Sequence, residues 1–147
     1  MERELVKHLG YKEEVDARDY EEWCSWFGVD ELTHDQEGQM SGPSMIKNFP
    51  NETSPFWNMK QNGDGTAAKI DVILGGMETI GSAERSSNPE EMREMFHTIS
   101  DGMYANLLYG QFGKERVERE LDDFLSLDFI PRVGGGIGIT RLISAIM

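Results

Sequence analysis

Apolar and polar residues alternate most clearly from Ala68 to Leu74. Ile70, Val72 and Leu74 fall on one side of a two-residue repeat, and Lys69, Asp71 and Ile73 on the other. The pattern predicts a strand, and Gly75-Gly76 supplies a two-residue hairpin turn into a second strand over Met77 to Ser82. Ser44 to Phe49 and Pro55 to Lys60 read as earlier strands joined by the polar stretch 50–54, and Asn62-Gly63-Asp64-Gly65 is a turn. Beyond residue 87 the repeat lengthens to three and four. Asn88-Pro89-Glu90-Glu91 offers a cap, a proline at the first helical position and a glutamate at the third, and Met92, Met95, Phe96 and Ile99 make an apolar stripe. A second helix runs from about Lys114 to Leu125, with Val117, Leu121, Phe124 and Leu125 inward. Near the N-terminus, residues 1–22 are polar, with Leu5 and Leu9 one turn apart before Gly10 interrupts the helix. Tyr20, Trp23, Trp26 and Phe27 then repeat at helical spacing and are expected to pack in a core.

The last pattern is different in kind. In Gly134-Gly135-Gly136-Ile137-Gly138-Ile139-Thr140-Arg141-Leu142, strand alternation puts Gly134, Gly136 and Gly138 on one face. Ile137 and Ile139 fall on the other, where they are expected to anchor the strand in a core. A strand face bare of side chains lets a flat ligand lie against the backbone. Arg141, at the first turn of a helix continuing through Leu142, Ile143 and Ile146, suits a phosphate beside it. A Rossmann turn is excluded, because Arg141 stands where that fingerprint needs its third glycine. The order of elements predicts an α+β fold, an antiparallel sheet flanked by helices. Residues 1–147 are expected to form one domain, with 1–40 peripheral and 44–147 carrying the sheet and helices.

Composition narrows the partners. Fourteen Lys and Arg against 27 Asp and Glu give a net charge of -13, which repels nucleic-acid phosphates over most of the surface. DNA and tRNA are therefore not expected partners. No apolar stretch approaches the ~20 residues of a membrane span. The N-terminal Met-Glu-Arg-Glu-Leu lacks the regions of a signal peptide, so a cytoplasmic location is expected. Cys24 is the only cysteine, and beside Trp23 and Trp26 it reads as a buried thiol. His8, His34 and His97 are isolated from any second ligand at metal-binding spacing.

The hairpin brings acids together. With Gly75-Gly76 as the loop, Leu74 faces Met77, Ile73 faces Glu78 and Asp71 faces Ile80, so Asp71 and Glu78 share a face as diagonal neighbours roughly 7 Å apart or less. Such a pair can hold Mg²⁺ on nucleotide phosphates, or it can be two acids on a solvated sheet face. Arg85, seven residues after Glu78, falls on the opposite face unless a bulge at Gly81 or Ser82 intervenes. With the bulge it joins the same cleft; without it, it is a surface arginine beside Glu84.

Gly134-x-Gly136-x-Gly138-x-Thr140-Arg141-Leu142 resembles motif 3 of the class II aminoacyl-tRNA synthetases. The segment Asp71 to Arg85 is similar to the one preceding it in the aspartyl, asparaginyl and lysyl subgroup. The likeness runs from roughly Phe49 to the C-terminus and is strongest to synthetase-like asparagine synthetases of archaeal type. The resemblance implies that Asp71 and Glu78 hold Mg²⁺ and ATP and that Arg85, with Ser82 nearby, binds the substrate's side-chain carboxylate. It also implies that Gly134, Gly136 and Gly138 floor the nucleotide site and that Arg141 contacts the γ-phosphate, making Arg141 and Glu78 the catalytic candidates. The implied reaction joins aspartate to ATP as aspartyl-adenylate, which ammonia then converts to asparagine. A tRNA synthetase fragment and a non-catalytic paralogue that binds nucleotide or a partner are the alternatives. The sequence departs from the family pattern in Thr140, where motif 3 carries Glu, and in Gly81, where some aspartyl enzymes have a metal-binding Ser. Motifs 1 and 2 are not found. The chain thus reads as the C-terminal half of the core, completed by a homodimer or by a partner polypeptide.

Overall fold

The computed structural model describes residues 15–40, 42–53 and 55–147; the helix expected around Leu5 and Leu9, and His8, lie outside the described residues. The chain divides into two compact units, one of residues 1–49, 69–83 and 134–147 and one of residues 50–68 and 84–133.

The first unit is built on a five-stranded sheet in the order β1-β2-β3-β4-β5, with β1 Asp16–Asp19, β2 Ser44–Pro50, β3 Thr66–Leu74, β4 Met77–Arg85 and β5 Arg132–Ile137. The ends of β3, β4 and β5 run on into the second unit. β3 and β4 are the expected antiparallel hairpin, and Gly75 and Gly76 both take positive φ (60° and 73°), as its two-residue turn requires. The sheet is not wholly antiparallel. Residues 16–19, in a polar stretch for which no strand was expected, form a strand parallel to β2, with Asp16 opposite Ser44 and Asp19 opposite Lys47. Parallel pairing needs a crossover connection, and α1 (Tyr20–Phe27) and α2 (His34–Gln39) lie in it.

Each face of this sheet has its own core. On one side Tyr20, Trp23 and Cys24 of α1 pack with Met40, Ile46, Phe49 and Ile73. On the other Met45, Val72 and Leu74 pack with Leu142 and Ala145 of α6 (Ile139–Ile146). Trp26 departs from the aromatic stripe. It is 57% exposed and is covered on its ring face by the Arg18 guanidinium at 4.0 Å.

The second unit packs α3 (Pro89–Thr98), α4 (Met103–Phe112) and α5 (Lys114–Leu125) around Trp57, Met92, Phe96, Ile99, Val117, Leu121 and Leu125. Asn88 caps α3 as expected, its Oδ1 accepting from the N–H groups of Glu90 and Glu91. The Glu91 carboxylate accepts from Ser86 Oγ at 2.6 Å. The strand expected over Pro55 to Lys60 is absent. Trp57 and Asn58 form a turn, and only single bridges join Met59 to Arg85 and Gln61 to Ala67. Trp57 turns inward to meet Phe96 and Phe124 edge-on at 5.5 and 5.7 Å, and the local backbone gives up ladder geometry to place it.

Candidate nucleotide and metal site

The acid hairpin contains an irregularity that strand alternation does not show. From Lys69 to Val72 the pairing is Lys69 with Ala83, Asp71 with Gly81 and Val72 with Ile80, but Ile73 pairs with Glu78, so Thr79 is one residue too many. The bulge thus lies at Thr79 and not at Gly81 or Ser82, and Asp71 faces Gly81 where Ile80 was expected. Thr79 is 2% exposed and donates from Oγ1 to the Val72 carbonyl at 3.2 Å, so the extra residue is bonded across the hairpin. Along β4 the added residue places Glu78, Gly81, Ala83 and Arg85 in one alternation class. The sequence had required a bulge for that outcome.

Asp71 and Glu78 do share a face, and Gly81 is what lets them meet. A β-carbon at Gly81 would lie 2.7 Å from Glu78 Oε1 and 3.4 Å from Asp71 Oδ1, so the space a side chain would fill is the space into which both carboxylates point. Asp71 is 5% exposed. Its Oδ2 takes a 2.6 Å ion pair from Lys69 Nζ, whereas its Oδ1 is buried without a hydrogen-bond partner. Burial pushes the Asp71 carboxyl up to about 6; Lys69 opposes that rise, and the charges of Glu78 and Glu37 add to it. Glu37 enters from α2, which is seated on the hairpin turn. A β-carbon at Gly76 would come within 3.1 Å of Gly38 Cα.

This donor set fits a hard cation in its chemistry. Two carboxylate oxygens converge and one of them lacks a partner, and Mg²⁺ is commonly held by one or two carboxylates with water and phosphate completing its shell. Among the described residues there is no cluster of three or more His, Cys, Asp or Glu arranged around a metal position.

Motif-like residues lie alongside. Arg141, on the first turn of α6, donates from Nη1 to the main-chain carbonyl of Glu78 at 2.8 Å, and the Gly138 N–H donates to the Thr79 carbonyl at 2.8 Å. Gly136 and Gly138 are exposed and Gly134 is half-buried, so the ribbon is open. Closer to its neighbours than Gly136 or Gly138 is Gly135, which was not among the three glycines of the bare face. A β-carbon there would stand 2.6 Å from the Gly81 carbonyl oxygen and 2.7 Å from Ser82 Cβ. The isoleucines do not anchor the ribbon. Ile137 is 54% and Ile139 62% exposed, and Ile139 already belongs to α6, whose inward residues are Leu142 and Ala145. Ser82 pairs with Ile70, on the face opposite Asp71, and its Oγ donates to the Ile70 carbonyl at 3.4 Å. Arg85 lies in the second unit, where Nη1 donates to Asn58 Oδ1 at 3.0 Å; burial and the neighbouring Arg132 lower its pKa. Sequence reasoning missed Lys69 and Glu37 at the acid pair. Lys69 was visible as a residue on the face of Asp71, whereas nothing local signalled Glu37.

Comparisons with known proteins bear on the family and the fold. The family model described as tRNA synthetases class II (D, K and N) matches residues 3–147. An asparagine–tRNA ligase from Idiomarina loihiensis is 30% identical over 148 residues, covering 93% of this chain and 29% of the relative. A lysine–tRNA ligase from Psychrobacter cryohalolentis is 28% identical over 107 residues, covering 73% of this chain and 20% of the relative. The chain therefore spans less than a third of the length of these relatives. Among solved structures, the aspartyl tRNA synthetase from Entamoeba histolytica superposes with a TM-score of 0.66 at 19% identity, over 98% of this chain and 34% of that one. The asparaginyl-tRNA synthetase from Pyrococcus horikoshii complexed with asparaginyl-adenylate gives 0.67 at 19% identity, over 97% and 33%. Likeness at that identity bears on the fold, and the family match together with the relatives carries the assignment. The chain belongs to the class II tRNA synthetases of the D, K and N group.

Proposed function

We propose that this chain carries part of an ATP-dependent amino-acid-activating site whose substrate is aspartate. The observation that supports the reading best is the convergence of Asp71 Oδ1 and Glu78 Oε1 on the space left by Gly81, with Arg141 tied to the backbone of Glu78. In the reaction, a substrate carboxylate oxygen attacks the α-phosphorus of ATP. A C–O–P linkage forms, the bond to the β-phosphate oxygen breaks, and pyrophosphate leaves. When bound at the acid pair, Mg²⁺ would neutralise charge developing on the departing phosphates. Arg141 offers a second cation for those oxygens, and the open glycine ribbon Gly134, Gly136 and Gly138 leaves the adenine room against backbone. Arg85 is assigned to the substrate's side-chain carboxylate, and Ser82, on the face opposite Asp71, is given no role.

Two acceptors complete the reaction. In the first reading ammonia attacks the acyl carbon, the C–N bond forms, AMP departs and asparagine results. In the second the chain is part of an aspartyl- or asparaginyl-tRNA synthetase, the amino acid is aspartate or asparagine and the acceptor is tRNA, a reading favoured by the 30% identity to an asparagine–tRNA ligase. The site is completed by a homodimeric partner or by a second polypeptide. Calorimetry with ATP and Mg²⁺ tests the shared part: saturable binding is expected, and no heat of binding removes both readings for the isolated chain. Asparagine formed from aspartate, ATP and ammonia without tRNA selects the first, and aminoacylated tRNA selects the second.

A further inference from the structure

Lys69 is the cation at the acid pair, and the activation reading gives it no role. Its Nζ lies 2.6 Å from Asp71 Oδ2 and 3.8 Å from the centroid of the Phe49 ring, and its side chain is 25% exposed. The ammonium is therefore clamped between a carboxylate and an aromatic face, a position that a flexible surface lysine does not hold without both contacts. It occupies one oxygen of Asp71 and leaves the other, Oδ1, buried and unpartnered beside Glu78 Oε1.

We propose that Lys69 is an internal cation that keeps the Asp71–Glu78 pair from binding a divalent ion tightly by itself, so that the ion enters together with the nucleotide's phosphates. The inference rests on the reading of Asp71 and Glu78 as cation ligands. Lys69 acts in two ways. It limits Asp71 to one free oxygen, which excludes bidentate coordination. It also places one positive charge against the two negative charges that would attract the ion, with Glu37 of α2 the other acid near Asp71. Lys69 is on this account a positioning residue that sets metal demand and does not touch the reacting atoms.

The probe is Mn²⁺, titrated into the nucleotide-free full chain and read by electron paramagnetic resonance of the free ion. Lys69→Met is expected to tighten Mn²⁺ binding at least about tenfold, because one charge at contact distance in a partly buried site is worth more than that factor. Lys69→Arg, which keeps the charge and the aromatic contact, is expected to stay within about twofold of the parent, and adding Asp71→Asn to Lys69→Met is expected to abolish the gain. Should Lys69→Met fail to fold, Lys69→Gln takes its place. Unchanged or weaker Mn²⁺ binding in the charge-removed variant, a gain that survives Asp71→Asn, or no Mn²⁺ binding in any variant would each overturn the proposal. The nucleotide reading is tested separately. Tighter Mn²⁺ binding in a chain that shows no heat with ATP would remove nucleotide binding by this chain alone and leave standing the role of Lys69 in weakening the bare metal site.

Discussion

Arg141 Nη1 is bonded at 2.8 Å to the main-chain carbonyl of Glu78, the residue whose carboxylate meets Asp71 over Gly81. The start of α6 is thereby tied to the acid hairpin by an exposed guanidinium, beside the Gly138 N–H that donates to the Thr79 carbonyl. Because Arg141 is exposed, the bond adds little to stability, and Arg141→Ala should lower it by about 1 kcal/mol or less in urea titration. If the same guanidinium also meets nucleotide phosphate, ATP affinity measured by calorimetry should fall at least about tenfold. Unchanged affinity would remove Arg141 from the phosphate role.

The glycines of the ribbon should separate by position. Gly135→Ala drives a β-carbon into the backbone of Gly81 and into Ser82, where nothing is free to swing aside, and should cost about 1–3 kcal/mol. Gly136→Ala meets nothing within 4 Å and should leave the urea midpoint nearly unchanged. If that side of the ribbon floors the adenine, Gly136→Ala should nevertheless weaken ATP binding. Equal stability losses at the two positions would show that β5 does not pack on β4 as described.

What the sequence made legible follows from the range of the forces involved. The β3–β4 hairpin, the Asn88 cap and α5 are local: turn glycines, a cap side chain and a strong apolar stripe specify them within a dozen residues. α4 was not foreseen because its apolar residues lie all round it and show no stripe: Tyr104, Ala105, Leu108 and Tyr109 pack against the core, while Met103, Leu107 and Phe112 are exposed. The strand nature of Asp16–Asp19 depends on a partner some 28 positions away, as the Asp16–Ser44 pairing shows, and no local pattern reports it. At the site, the shared face of Asp71 and Glu78 was readable from parity alone. The bulge was placed wrongly because a buried threonine that bonds across the hairpin looks in sequence like an ordinary strand residue.

The helical unit makes its own prediction. Phe96 is 4% exposed and meets Trp57 and Tyr104 edge-on at 5.5 and 5.7 Å. Phe96→Ala removes both contacts and leaves a cavity, and should cost about 3–5 kcal/mol by urea titration. The near-ultraviolet circular dichroism, to which Trp57 contributes beside Trp23 and Trp26, should collapse toward the unfolded signal at lower urea. A loss below about 1 kcal/mol would mean that Phe96 does not centre this core.

The raised carboxyl of Asp71 gives a pH signature with a fixed sign. An aspartate free in the unfolded chain titrates near ~4, and in the folded protein this one titrates at about 6. Between those values the folded state holds the extra proton, so this group's contribution to stability falls as pH rises from about 4 to 6 and stays low above that range. The span of about two pH units corresponds to on the order of 2–3 kcal/mol. Other carboxylates titrate in the same window, so the measurable quantity is the difference between the parent and Asp71→Asn, in urea titrations at pH 4.5 and 7 in chelator-treated buffer. The parent should lose ground to the variant as pH rises. A difference that is flat across the window, or that grows in favour of the parent, would mean that Lys69 compensates the buried charge completely and that Asp71 is ionised in the folded protein throughout the range.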